Sequence, residues 1–219
     1  MIIIRSKRKS LTLQIAPDSS IIVRAPEKIP EEIIHQAIQK KLPWIIKKQK
    51  LARERFVPVV KREFASGETF LYLGELYKLQ VFLDANDPLV FNGMEFKLSG
   101  RYLLNAKKIF EKWYRKQTKE IINNRAKLYA EMAGLKYARI SITGAKSRWG
   151  SCSFKGNLNF SWKLIMAPQR VVDYVVIHEL VHLSERNHSR RFWDKVSVFM
   201  PDYKNCRKWL KDNGGKLYL

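Results

Sequence analysis

Three of the four histidines in this chain of 219 residues, His178, His182 and His188, fall within eleven residues. The first two bracket Glu179 in the run His178-Glu179-Leu180-Val181-His182. On an α-helix, positions four apart lie about 40° apart around the axis and about 6 Å apart along it. Two imidazoles so placed reach one metal ion at Zn–N distances of about 2.0–2.1 Å. The glutamate between them stands beside the open side of the ion, where it holds a water and takes its proton. With four His and thirteen Glu in the whole chain, chance supplies this pattern about 0.004 times. Two imidazoles and a carboxylate on an otherwise apolar helix are costly to bury without a partner, and a metal is that partner.

His188 completes the constellation. A straight helix would carry it about 9 Å beyond the pair, so the chain must leave the helix and return. Ser184-Glu185-Arg186-Asn187 permits this, because Asn187 tolerates a left-handed conformation. Three protein ligands with a fourth position open is the arrangement of a catalytic zinc site holding one Zn2+ ion. The fourth histidine, His35, has no partner in sequence.

The helix that must carry the motif begins at Pro168, well suited to a first helical position, and is apolar nearly all round through Leu183. Upstream, residues 138–164 read as a hairpin, with Arg148-Trp149-Gly150-Ser151-Cys152-Ser153 as its turn-forming linker. Asn105 is placed to cap a long helix and Gly134 to end it. Its expected apolar stripe is Ala106, Ile109, Phe110, Trp113, Ile121, Leu128 and Met132, opposite a basic face. Residues 69–98 read as a meander with turns at Gly74 and Asn92-Gly93. Alternation in 11–15 and the run 21–23, separated by the turn Pro17-Asp18-Ser19-Ser20, predict N-terminal strands. Glu31 and Glu32 open a helix to about Arg55, broken or kinked at Pro43, and Pro58 closes the segment. The elements predict an α+β protein: a β-rich portion with one helix over 1–100, then a catalytic domain over 101–219.

Composition narrows the class. Apolar residues make up 46% of the chain, too many for disorder. Two cysteines exclude a disulfide framework and a four-cysteine zinc site, and fit a reducing, cytoplasmic setting. No run approaches the roughly 18–20 apolar residues of a membrane span, and the three N-terminal Ile are no signal peptide. The net charge of +22 invites a nucleic-acid partner, although it is spread along the chain with one acidic island over 63–100.

The run from Val175 to Trp193, together with Arg148-Trp149-Gly150-Ser151-Cys152, resembles the YgjP-like metallopeptidase family, a relative of the SprT-like and WLM metalloproteases. The resemblance implies a zincin-like catalytic domain, zinc on His178, His182 and His188, Glu179 as general base, and a protein or peptide substrate. The three-histidine spacing is also similar to that of metzincins, which have Gly where this chain has Glu185. By the same resemblance Arg148 and Trp149 shape the cleft. Zincins align an extended substrate on a strand beside the active-site helix, and residues 157–162, with Asn157 and Asn159, are the candidate edge.

Other residues admit two readings. Glu185, Asp173 and Asp194 orient a ligand imidazole or are surface acids and caps. Tyr174 and Tyr203 donate to a developing oxyanion or pack. Cys152 binds metal in a latent state or is a buried thiol, and Met200 forms a Met-turn or fills the core. The expected function is a zinc peptidase. The alternatives are a basic nucleic-acid-binding protein with structural zinc, a protease acting on DNA-bound proteins, and a latent enzyme whose residues 1–100 cover the cleft.

Overall fold

A computed structural model describes residues 1–16, 18–55, 62–83, 87–145 and 147–219, without the side chains of 51–55. Pro17 and Pro58 of the expected turn and helix stop lie outside the described residues. The chain divides into two compact units, Met1–Val59 and Val60–Leu219.

In the first unit β1 (Ile2–Ser6), β2 (Thr12–Ile15) and β3 (Ile21–Pro26) form a sheet of order β1-β3-β2. β3 is parallel to β1 and antiparallel to β2. The expected single helix is two, α1 (Glu31–Lys40) and α2 (Leu42–Arg55). The break falls at Lys41, so Pro43 sits in the first turn of α2, where its missing N–H has no intrahelical role. Val23, Ala25 and Ile34 are the buried centre of this unit.

The second unit opens with β4 (Thr69–Tyr72), β5 (Glu75–Phe82), β6 (Leu89–Phe91) and β7 (Glu95–Ser99). Their order is β4-β5-β7-β6, with β7 parallel to β5, so the expected meander is corrected. Both predicted turns form: Gly74 and Gly93 each take φ of +91°. It is the strand after the Asn92-Gly93 hairpin that inserts beside β5. Phe70, Leu79, Phe96 and Leu98 pack into the same core as the helices that follow. The two compact units divide near residue 60, and the elements predict a β-rich portion over 1–100.

After a 3-10 turn at Gly100–Asn105, α3 (Ala106–Ala133) runs 28 residues and ends on Gly134, left-handed at φ +63°. The Asn105 side chain makes no capping hydrogen bond, because the 3-10 turn already leads into the helix. The buried face follows a spacing of four: Ala106, Phe110, Tyr114, Thr118, Ile122, Ala126 and Ala130. Leu128 and Met132 of the expected stripe are exposed instead, at 41% and 62%. Small residues and one hydroxyl, Ala106, Thr118, Ala126 and Ala130, share the buried face with Phe110, Tyr114 and Ile122. Thr118 satisfies its hydroxyl on the Tyr114 and Trp162 carbonyls, at 2.6 and 3.0 Å.

β8 (Arg139–Thr143), β9 (Gly150–Cys152) and β10 (Asn157–Ser161) form a sheet of order β8-β10-β9. β8 and β10 are parallel, which corrects the expected hairpin. The stretch read as a linker contains β9, which pairs antiparallel with β10 through the turn at Ser153–Gly156. After a 3-10 turn at Trp162–Met166 come α4 (Gln169–Val181), α5 (Arg190–Phe199) and α6 (Tyr203–Asn213). Pro168 stands at the N-cap of α4, and ten of the thirteen residues of α4 are buried. Among the described residues no helix is long and apolar enough to cross a membrane.

Candidate active site

α4 presents His178 and Glu179 from its last turns, and His182 caps its C-terminus. The chain then turns through Val181–Glu185, with Leu183 and Ser184 N–H groups bonding back to the Leu180 and Val181 carbonyls. Asn187 is not left-handed. Its side-chain oxygen accepts from the Ser189 N–H at 3.3 Å and helps set the start of α5. Ser189 caps α5 by accepting from the Phe192 N–H. These turns bring His188 back beside His178 and His182.

One ligand atom from each of His178, His182 and His188 lies within 4.8 Å of the others. His188 Nε2 and His178 Nε2 are 3.0 Å apart. Tetrahedral zinc with nitrogens at about 2.0–2.1 Å sets them about 3.3 Å apart, so this pair is nearly at ligating spacing. A hydrogen bond across that contact needs a proton on one ring nitrogen, whereas a shared cation satisfies both lone pairs. His182 Nδ1 lies 2.9 Å from the Glu185 carbonyl. Donation there leaves the Nε2 lone pair free, the tautomer a ligand needs. The donor set fits one zinc ion.

Burial enforces the neutral form. Desolvation first, then neighbouring His182 and His188, holds His178 down at about 3. His188 is also lowered, by burial first, then by His182 and Arg207. Phe192 backs all three imidazoles, with ring centroids 4.6–4.9 Å away. Trp193 stacks on His188 at 5.6 Å and on Tyr203 at 5.1 Å.

Glu179 is 5% exposed, and its Oε2 is buried without a hydrogen-bond partner. Desolvation pushes its carboxyl up to about 8, against the pull of Arg148. Its close neighbour across the site is Gly150: a Cβ there would stand 2.5 Å from Oε1 and 2.6 Å from Cγ. The sequence places Gly150 in a turn-forming segment and in the run 148–152 that carries the family resemblance, and gives it no contact with Glu179. The close approach is what demands glycine, and a Gly beside Trp149 was the one available signal.

A cavity of about 270 Å³ joins Glu179 and His178 to Trp149, Gly150, Tyr174, Val175, Arg207 and Leu210. A second, of about 360 Å³, holds Arg148, Trp149 and Asn159. Asn157 lines neither and receives its backbone bond from within the β9–β10 turn, donating N–H to Ser153 Oγ at 3.1 Å. The expected substrate edge is corrected: β10 is the central strand, paired on both sides, so residues 157–162 have no free edge. β9 is the edge strand beside α4.

The acids expected around the ligands do other work. Asp173 pairs with Arg125 at 2.6 Å, Glu185 with Lys195 at 2.8 Å, and Asp194 with Arg190 at 4.0 Å. The backbone carbonyl of Glu185, and not its carboxylate, orients His182. Tyr174 lies in the cavity, its hydroxyl pushed up to about 12 by burial. Tyr203 packs on Trp193, and Met200 is fully buried beside Cys206. Cys152 is half-buried and sits 3.7 Å from Arg186, outside the histidine cluster. Arg207, over the Trp193 ring at 5.1 Å, is a cleft residue that the sequence did not single out.

The family model described as YgjP-like, metallopeptidase domain, matches residues 9–213. No curated protein matches the chain. A solved structure, the metallopeptidase zymogen of Pyrococcus abyssi abylysin, is similar over 41% of this chain and 93% of that one, at 23% identity and a TM-score of 0.38.

Proposed function

The chain belongs to the YgjP-like metallopeptidase family, and from that we propose a zinc peptidase with His178, His182 and His188 as ligands and Glu179 as general base. The observation that carries the reading is the juxtaposition of three imidazoles within ligating reach and one buried, unpartnered carboxylate oxygen. Bound there, zinc supplies a Lewis acid that polarises a peptide carbonyl and acidifies water.

The protein's own residues do the rest. Glu179 accepts the proton of the attacking water and delivers it to the leaving amine. Gly150 leaves the Glu179 carboxylate the room it needs. Phe192 and Trp193 hold the imidazoles in place. The substrate lies extended along β9. In the β9–β10 pair the Ser161 N–H donates to the Trp149 carbonyl and the Ser153 N–H to the Asn157 carbonyl. Antiparallel alternation then turns the amides of Gly150 and Cys152 outward, where a substrate backbone can pair with them. Arg148, Trp149 and Asn159 form the wall on one side of that line, and Trp149, Arg207 and Leu210 the wall on the other.

The test is metal analysis with peptide hydrolysis. One zinc per chain is expected, lost in His178→Ala. Glu179→Gln keeps the zinc and loses hydrolysis by about 10²-fold or more. Full zinc in His178→Ala, or full activity in Glu179→Gln, overturns the assignment.

A further inference from the structure

The sheet that carries the active-site edge has a second edge, β8, which the peptidase reading does not use. Its hydrogen bonding can be followed strand by strand. The β9–β10 bonds at Trp149–Ser161 and Ser153–Asn157 commit residues 157, 159 and 161 of β10 to β9. Residues 158 and 160 therefore face β8, and residues 139, 141 and 143 of β8 face them in return. Ile140 and Ile142 turn their backbone groups away from the sheet. Arg115 meets them from that side, donating Nη1 to the Ile142 carbonyl at 3.4 Å. Among the described residues no backbone group pairs with the Ile140 N–H, the Ile140 carbonyl or the Ile142 N–H.

The groove along this edge has a volume of about 520 Å³ and is lined by Arg115, Lys116, Lys119, Ile140, Ser141 and Ile142. Its three β8 residues, Ile140 to Ile142, span about 10 Å of extended strand. Arg115 is already paired with Glu111, at 2.8 Å. Lys116 and Lys119 are exposed and have no ion pair among the described residues. The edge thus offers a short ladder of peptide donors and acceptors beside two uncompensated cations.

We propose that the β8 edge docks an acidic, extended peptide segment of a partner protein as a fourth strand. The backbone reads the strand, and Lys116 and Lys119 read its acidic side chains. A nucleic acid would satisfy the cations but does not present alternating N–H donors and C=O acceptors at the spacing of a strand ladder. The site lies across the sheet from β9 and does not depend on the chemistry assigned to Glu179.

The test uses the full chain carrying Glu179→Gln, so that no probe is cut, and a fluorescein-labelled heptapeptide of alternating Glu and Val. Anisotropy should show saturable binding that weakens with salt. A Lys-Val counterpart should bind at least tenfold more weakly. Lys116→Glu with Lys119→Glu should reverse that preference, with an unchanged melting temperature. N-methylation of the alternate amides that face β8 should weaken binding at least tenfold, and methylation of the other set should not. This last comparison leaves the protein untouched. The proposal is overturned if the probe does not bind, if both methylated sets bind alike, if the charge reversal changes nothing, or if a single-stranded oligonucleotide of equal charge competes better than the unlabelled peptide.

Discussion

Gly150→Ala adds one methyl group and should cost the enzyme most of its rate. The new Cβ would stand 2.5 Å from Glu179 Oε1, 2.6 Å from Cγ and 2.8 Å from Cδ, where ordinary contact needs at least 3.4 Å. The carboxylate must retreat by roughly 1 Å, and misplacement on that scale costs about 10² in rate. Glu179 cannot swing freely, because only 5% of it is exposed and Cγ, close to the backbone, is itself in the overlap. Overpacking of this kind also lowers stability by about 1–3 kcal/mol. The three atoms nearest the new methyl group all belong to Glu179, so zinc content should be unchanged. The assay is kcat and KM on a peptide substrate with metal content measured on the same sample. The fall should appear in kcat. A double-mutant cycle isolates the cause: Gly150→Ala added to Glu179→Gln should slow the enzyme no further, since the group being displaced no longer acts. Activity of Gly150→Ala within threefold of wild type, or full additivity in the cycle, would refute the argument.

Other predictions follow from the same site and its supports. In metal-free protein Glu179 binds its proton up to about pH 8, whereas in the unfolded chain it releases it near 4.5, so its contribution to stability is complete below 4.5 and is lost as pH rises through 8. The stability gap between Glu179→Gln and wild type should therefore widen by about 2 kcal/mol between pH 6.5 and 8 in denaturant titrations, at about 1.4 kcal/mol per unit. His178 works in the opposite direction: folded, it stays neutral down to about 3, so metal-free stability should also fall as pH drops below 6.5. Arg125→Ala leaves the Asp173 carboxylate, whose side chain is 6% exposed, without its bidentate partner on the active-site helix; chemical denaturation should show a loss of about 2–4 kcal/mol, discounted for an Arg125 that is 31% exposed. Arg125→Met with Asp173→Leu should recover most of it. Chelation should lower the melting temperature, by the equivalent of about 2.7 kcal/mol when free zinc had stood at a hundred times its Kd, and His182→Ala should abolish that response.

What could be read from the sequence depended on how local the geometry was. His178, Glu179 and His182 are placed by helical periodicity alone, and the structure puts them on α4 as that periodicity requires. His188 was legible as a ligand type at a plausible spacing, but the turn that returns it rests on bonds to the Leu180 and Val181 carbonyls and on the Ser189 cap, not on a left-handed Asn187. Gly150 and Glu179 meet across 29 positions of sequence, and nothing in the period of either segment announces the contact. The stripe of α3 packs on the core from Ala106 to Ile121 and departs from expectation beyond it for a related reason. Ala126, Ala130 and Thr118 are buried because close packing and a hydroxyl bond to Trp162 suit small side chains there, while Leu128 and Met132 face away.

The strand order shows why even correct element assignments did not locate the substrate line. Residues 157–161 form a strand as their alternation predicted, and as the last strand before the active-site helix they looked like an edge. The glycine-containing segment before them looked too irregular to be a strand at all. The chain instead makes β9 from Gly150–Cys152, lays it outside β10, and so gives the edge beside α4 to a strand that contains a glycine. That exchange has a chemical consequence. A strand whose residue facing Glu179 has no side chain can approach α4 closely enough for the carboxylate and an edge-bound peptide to share one small space. A bulky alternating strand such as β10, with Leu158 and Phe160 fully buried in the core, could not have done this without pushing Glu179 away. The property that hid β9 from pattern reading is therefore the property that suits it to line the site.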